Sequence, residues 1–107
     1  QSFLQAWRAQ TGTERIPVPP AAAQGYDSAL LLAAAIRQAG STEGERIREA
    51  LENLDTRVHG VIMDYDRPFS KARHETFTSP EQLFMGEVRK GQVVHAYEQD
   101  RQRVRQQ

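Results

Sequence analysis

The stretch Gln24 to Gly40, QGYDSALLLAAAIRQAG, constrains this chain more than any other. From Ala29 to Ile36 it holds only Ala, Leu and Ile. Small and straight-chain apolar residues favour a helix, and Gly40 is the expected stop just past its end. A helix apolar all round its middle needs cover on more than one side. It is too short to span a bilayer, which takes roughly 20 apolar residues. The expectation is a central buried helix with the other segments packed around it.

At 107 residues the chain is the size of one ordinary domain. Acidic and basic residues number 14 each, for a formal net charge of zero. That removes the electrostatic argument for a nucleic-acid or anionic-membrane partner. With no cysteine there is no disulfide framework and no thiolate chemistry. The N-terminal QSFLQAW has neither the basic region nor the apolar core of a signal peptide. The expectation from this is either a cytosolic protein or a processed or truncated piece of a longer one.

Before the central helix, Phe3, Leu4 and Trp7 share one edge of a short amphipathic helix from Ser2 to about Gln10, with Trp7 as a packing anchor. Thr11 to Ala23 reads as a linker, because Pro17, Pro19 and Pro20 fix φ and remove donors. It delivers Ala21 to Gly25 to the start of the central helix. Helix N-termini offer unpaired N–H groups and a positive dipole end, which suit carboxylates. After Gly40, Thr42 to Glu45 has the form of a capping box, with Thr42 as N-cap. Ile47, Ala50, Leu51 and Leu54 then make a single buried stripe.

The second half changes period. Val58 to Tyr65, VHGVIMDY, reads as a strand in which Gly60 marks a bulge or a close backbone approach. Asp66 to Pro80 is irregular. Gln82 to Val88 and Gln92 to Tyr97 flank Arg89-Lys90-Gly91 as a hairpin with Gly91 left-handed. Gln99 to Gln107 is a polar, Arg-rich tail, either frayed or a surface helix. Three helices followed by about three strands is an α+β set with too small a sheet. It resembles one end of a larger α/β protein.

Little here argues for an enzyme. His59, His74 and His95 form no HxH, HxxxH or HExxH pattern, so no metal site is expected. Arg73-His74-Glu75 is the most polar cluster. His74 reads either as a ligand contact or general base, or as a loop histidine bonded to local backbone. Asp64 and Asp66 fall on one face of a strand, where they read as a metal or acid–base pair or as the start of a turn. No G-x-S-x-G elbow and no Gly-rich phosphate loop occurs. The basic residues at 89–90 and 101–105 lack interleaved aromatics, so nucleic acid is a poor fit.

Read in order, GYDSALLLAAAIRQAGS, TEGERIREALENL and HGVIMDYDRPFSKARHETFTSPEQLFMGEVRKGQVV form one pattern. It resembles the C-terminal part of type I periplasmic substrate-binding proteins, the branched-chain-amino-acid group of ABC-transporter receptors. The shared features are "YD", an Ala/Leu helix ending in "AGS", and a helix with "IR-ALE-L". A Gly and "Y-D" strand, an "HE" loop and a strand pair around Gly follow. The PFSKARHE stretch looks closest to members that bind small organic acids, aromatic ones among them.

The resemblance implies an α/β fold, here a fragment of a two-lobe receptor with three helices followed by a strand and a hairpin. Residues 1–98 would be the C-terminal segment of the ligand-binding domain, and 99–107 a tail. It implies a periplasmic, exported protein that captures an amino acid or an aromatic or organic acid for an ABC permease, without cofactor and without catalysis. One cleft contact in amino-acid-binding members is aromatic and lies five positions before the Tyr of "YD". That position is Ala21 here, leaving room for a bulkier ligand. Ala21, Ala22 and Gln24 are the candidate cleft residues, and Tyr26 a packing residue. Uncovered apolar faces lead to the further expectation that the fragment forms a homo-oligomer. The alternative is a self-associating α+β interaction module with no small-molecule ligand.

Overall fold

The structure, a computed structural model, describes residues 2–105. The chain divides into two compact units, Gln1–Thr76 and Phe77–Gln107. The first unit holds helices α1 (Ser2–Thr11), α2 (Pro19–Ala39) and α3 (Gly44–Glu52), then the short strands β1 (Val58–His59) and β2 (Asp64–Tyr65). The second holds a 3-10 turn (Pro80–Gln82), β3 (Gly86–Arg89), β4 (Gln92–His95) and helix α4 (Glu98–Arg105). Each pair of strands is a separate antiparallel two-stranded sheet. Among the described residues, no helix is long and apolar enough to cross a membrane.

All six buried apolar residues described lie in the first unit: Leu31, Ala35, Ala50, Leu54, Val58 and Tyr65. They come from α2, α3, the segment after α3 and the β1–β2 hairpin, so the core is a seam between these pieces. On α2 the buried residues are Asp27, Leu31 and Ala35, one row at intervals of four. The rest of α2 differs from the all-round burial expected of it. Leu32 is 45% exposed and Ala29 is also exposed, because α3 and β1 cover only one side.

Helix α2 starts at Pro19, so Pro19 to Ala23 are its opening turns and not linker. Proline costs nothing at the first helical positions, where its missing N–H has no intrahelical partner, and its φ is already helical. The far end matches expectation, with Gly40 left-handed at φ 60° and its N–H donating to the Ile36 carbonyl.

Helix α3 is not capped by Thr42. Its N-cap is Glu43, with no side-chain cap, and the Ser41 hydroxyl accepts the Glu43 N–H at 3.1 Å. With the start one residue later, Glu45 turns outward onto Arg48 instead of back to the cap. At the other end Gln38 of α2 does the capping. Its Nε2 donates to the Asn53 carbonyl at 2.9 Å, and its Oε1 accepts the Asp55 N–H at 3.0 Å. One side chain thus satisfies the orphan carbonyl end of α3 and ties α3 to α2.

The single strand expected over Val58–Tyr65 is instead a tight hairpin. Val58 pairs with Tyr65 and His59 with Asp64, and the Gly60 N–H closes the loop on the Met63 carbonyl at 3.0 Å. The second hairpin follows expectation more closely, with Arg89 opposite Gln92 and the turn at Lys90 and Gly91. The connection is two residues long, and both are left-handed, at φ 50° and 77°. The tail is helical as α4, and Gln106 and Gln107 lie outside the described residues.

Candidate functional site

The approach to α2 holds the three candidate residues. Ala21 and Gln24 are exposed and Ala22 is half-buried, all within the first two turns of the helix. Because Pro19 and Pro20 fill the first two helical positions, Ala21 alone of the first three retains an N–H. The next amide, Ala22, already donates to the Val18 carbonyl at 3.1 Å. This end therefore keeps the positive end of the helix dipole but offers fewer free donors than an ordinary helix start. Tyr26, half-buried, meets Phe3 of α1 edge-on with ring centroids 5.1 Å apart, which is the packing contact expected of it.

One turn further in lies Asp27, a residue whose importance sequence reasoning missed. Only 1% exposed, it accepts the Val61 N–H at 2.6 Å, the Ile62 N–H at 2.9 Å and the Tyr65 hydroxyl at 2.8 Å. Three donors satisfy a carboxylate that would otherwise be costly to bury. The two amides it takes cannot join a ladder, which is why the predicted strand folds back at Gly60 to Met63. Gly60 is required there. A Cβ on it would sit 2.5 Å from Asp27 Oδ2 and 2.6 Å from Tyr65 Cε2. Burial first, and the Asp27 carboxylate second, push the Tyr65 hydroxyl well above its ordinary range. The available signal was an acidic residue on the Leu31–Ala35 row of an otherwise apolar helix.

The other polar candidates are separated. Asp64 pairs with His59 Nδ1 at 2.9 Å, across the β1–β2 hairpin, and Asp66 lies 3.8 Å from Arg57. No group of three His, Asp or Glu side chains among the described residues is placed to hold a metal ion. His74 reaches neither local backbone nor Asp64. Its Nε2 lies 3.0 Å from Glu52 Oε1, which Arg48 Nη1 also meets at 2.8 Å. His74 thereby fastens the irregular stretch after β2 to the last turn of α3.

Comparison with known families decides what this arrangement belongs to. The family model described as periplasmic binding protein matches residues 1–92. The chain belongs to the periplasmic binding protein family. No curated protein and no solved structure gives a significant match. The matched stretch takes in α1 to β3, and so both the approach to α2 and the Asp27 clasp. Periplasmic binding proteins, as a family, bind solutes and are not enzymes.

Proposed function

We propose that this periplasmic binding protein chain is the C-terminal part of a two-lobed, exported receptor that captures a small solute for an ABC permease. The family match over residues 1–92 carries this reading. The solute is an amino acid or an aromatic or organic acid, gripped where Ala21, Ala22 and Gln24 line the cleft. Two features support that choice. The α2 dipole directs positive potential at this end, where a carboxylate is favoured. Ala21 is small and exposed, so an aromatic ring of the ligand has space there.

The test is titration calorimetry of the product of the complete reading frame against branched-chain amino acids and aromatic acids. One class is expected to bind with Kd of about 1 μM or tighter. Ala21→Trp is expected to weaken an aromatic acid by about tenfold or more, by filling its space. Absence of binding by every solute sinks the receptor reading, and an unchanged Kd in Ala21→Trp sinks the placement of the site.

Self-association is a second reading, favoured by a run of apolar side chains in the second unit. Leu83, Met85, Val88 and Val93 are 65%, 62%, 73% and 79% exposed. Light scattering that shows a monomer at every concentration removes it.

A further inference from the structure

The β3–β4 sheet has only its two strands, so among the described residues no strand lies along the outer edge of β3. Helix α4 packs against β4, and every residue of β3 is exposed or half-buried. The register says which backbone groups that edge offers. The Ala96 N–H donates to the Met85 carbonyl at 2.8 Å, and the pairing continues through Glu87 opposite Val94 and Arg89 opposite Gln92. In an antiparallel pair alternate residues bond to the same neighbour, so Met85, Glu87 and Arg89 face β4. Gly86 and Val88 then turn their N–H and C=O groups outward, where they are a template for another strand.

The side chains divide between the two faces of the sheet. Val88 and its cross-strand partner Val93 share one face and are 73% and 79% exposed. Glu87 and Arg89 share the other face and pair with each other. Charges on an edge strand ordinarily discourage pairing between copies. Here the two signs flank Val88 evenly, so their effect depends on register. When two β3 strands meet antiparallel about a two-fold axis at Val88, each Glu87 lies opposite the second copy's Arg89. Those are non-hydrogen-bonded positions, where facing side chains come closest and opposite charges attract. Moving the axis to Glu87 or to Arg89 sets like charges against each other instead.

We propose that two copies of this chain associate through their β3 edges, antiparallel and centred on Val88, into a four-stranded sheet. Each Val88 N–H donates to the other Val88 carbonyl, and Val88 and Val93 of both copies form one row across a face. This rests on the self-association reading above, and gives it a surface and a register. So short an edge makes a weak dimer, with Kd of about 0.1–1 mM.

The experiment is sedimentation equilibrium of the 107-residue chain from about 10 μM to about 1 mM, beside three variants. Arg89→Glu and Glu87→Arg are each expected to weaken association by about tenfold, because each sets like charges opposite one another. Mixed in equal amounts, the two are expected to associate at least as well as the unaltered chain, since every facing pair is then opposite in sign. The intramolecular Glu87–Arg89 pair is absent from both, so such a rescue comes only from contact between copies. Val88→Pro removes an outward N–H and leaves the β3–β4 ladder in place, and should abolish association. A monomer at every concentration overturns the proposal and the self-association reading together. Association that survives either charge reversal or Val88→Pro, or a mixture no better than its components, overturns this interface and leaves self-association to another surface.

Discussion

Asp27, Gly60 and Tyr65 illustrate how much depends on single residues in so small a core. Asp27→Asn turns an amide NH2 either onto the Val61 N–H or onto the Ile62 N–H and the Tyr65 hydroxyl together, so at least one donor loses its acceptor. A loss of about 2–3 kcal/mol is expected from urea unfolding, since hydrogen bonds to a charged acceptor are worth about that much. Gly60→Ala forces a methyl into the space that Asp27 Oδ2 and Tyr65 Cε2 occupy, and should cost about 1–3 kcal/mol. In an Asp27→Ala background the same change should cost less, because half of the obstruction is gone. Simple additivity of the two would show that they do not meet as described.

Tyr65 adds a pH signature with a definite sign. Its hydroxyl titrates higher in the folded chain than in the unfolded one, whose ordinary value is about 10. Below about pH 10 the contribution is fully present. As pH rises towards the folded value the unfolded chain sheds a proton that the folded chain keeps, and stability falls. Tyr65→Phe should reduce the alkaline slope by up to about 1.4 kcal/mol per pH unit. Unfolding curves taken from about pH 9 to about pH 11 check this, and parallel slopes in the two proteins would refute it.

At the scale of elements, the ends of helices and strands are where local pattern and structure part. Helix α2 begins ten residues before its apolar run at Ala29, since Pro19 and Pro20 are harmless in a first turn. Helix α3 ends on a side chain from another helix, Gln38, which no local motif announces. The β3–β4 turn was legible, because Gly91 between two β-prone runs asks for a left-handed residue. Lys90 shares that conformation without glycine's freedom, at φ 50°. Lys90→Gly or Lys90→Asn should therefore stabilise the hairpin by up to about 1 kcal/mol, and Gly91→Val weaken it by about 1–2 kcal/mol. Hydrogen exchange of the β3 and β4 amides reads both. Slower exchange in Gly91→Val would contradict the turn.

For the whole molecule, the decisive feature is how little of α2 the chain covers. One row, Asp27, Leu31 and Ala35, is buried, while Leu32 faces outward. In the proposed receptor that exposed side meets the rest of a lobe, and the α2 approach faces a ligand held between two lobes. The 107-residue chain by itself is then expected to bind no amino acid or aromatic acid in the micromolar range. Calorimetry on it alone, set beside the complete receptor, tests that expectation. Micromolar affinity in the short chain would place the whole acid-binding site within it.

The sequence by itself determined the helices, the β3–β4 hairpin and the family, because periodicity, Gly40, Gly91 and an ordered run of motifs are all properties of neighbours along the chain. It also flagged Gly60 as a place of close approach. Tertiary structure alone decided what approaches. The Asp27 carboxylate reaches across 34 positions to the Val61 amide and turns a predicted strand into a hairpin. The same holds for His74, which finds Glu52 across 22 positions and so fastens the stretch after β2 to α3. Such contacts form between residues whose side chains carry no mark of their partner. Only the packing of α2, α3 and the hairpin brings them within hydrogen-bond reach.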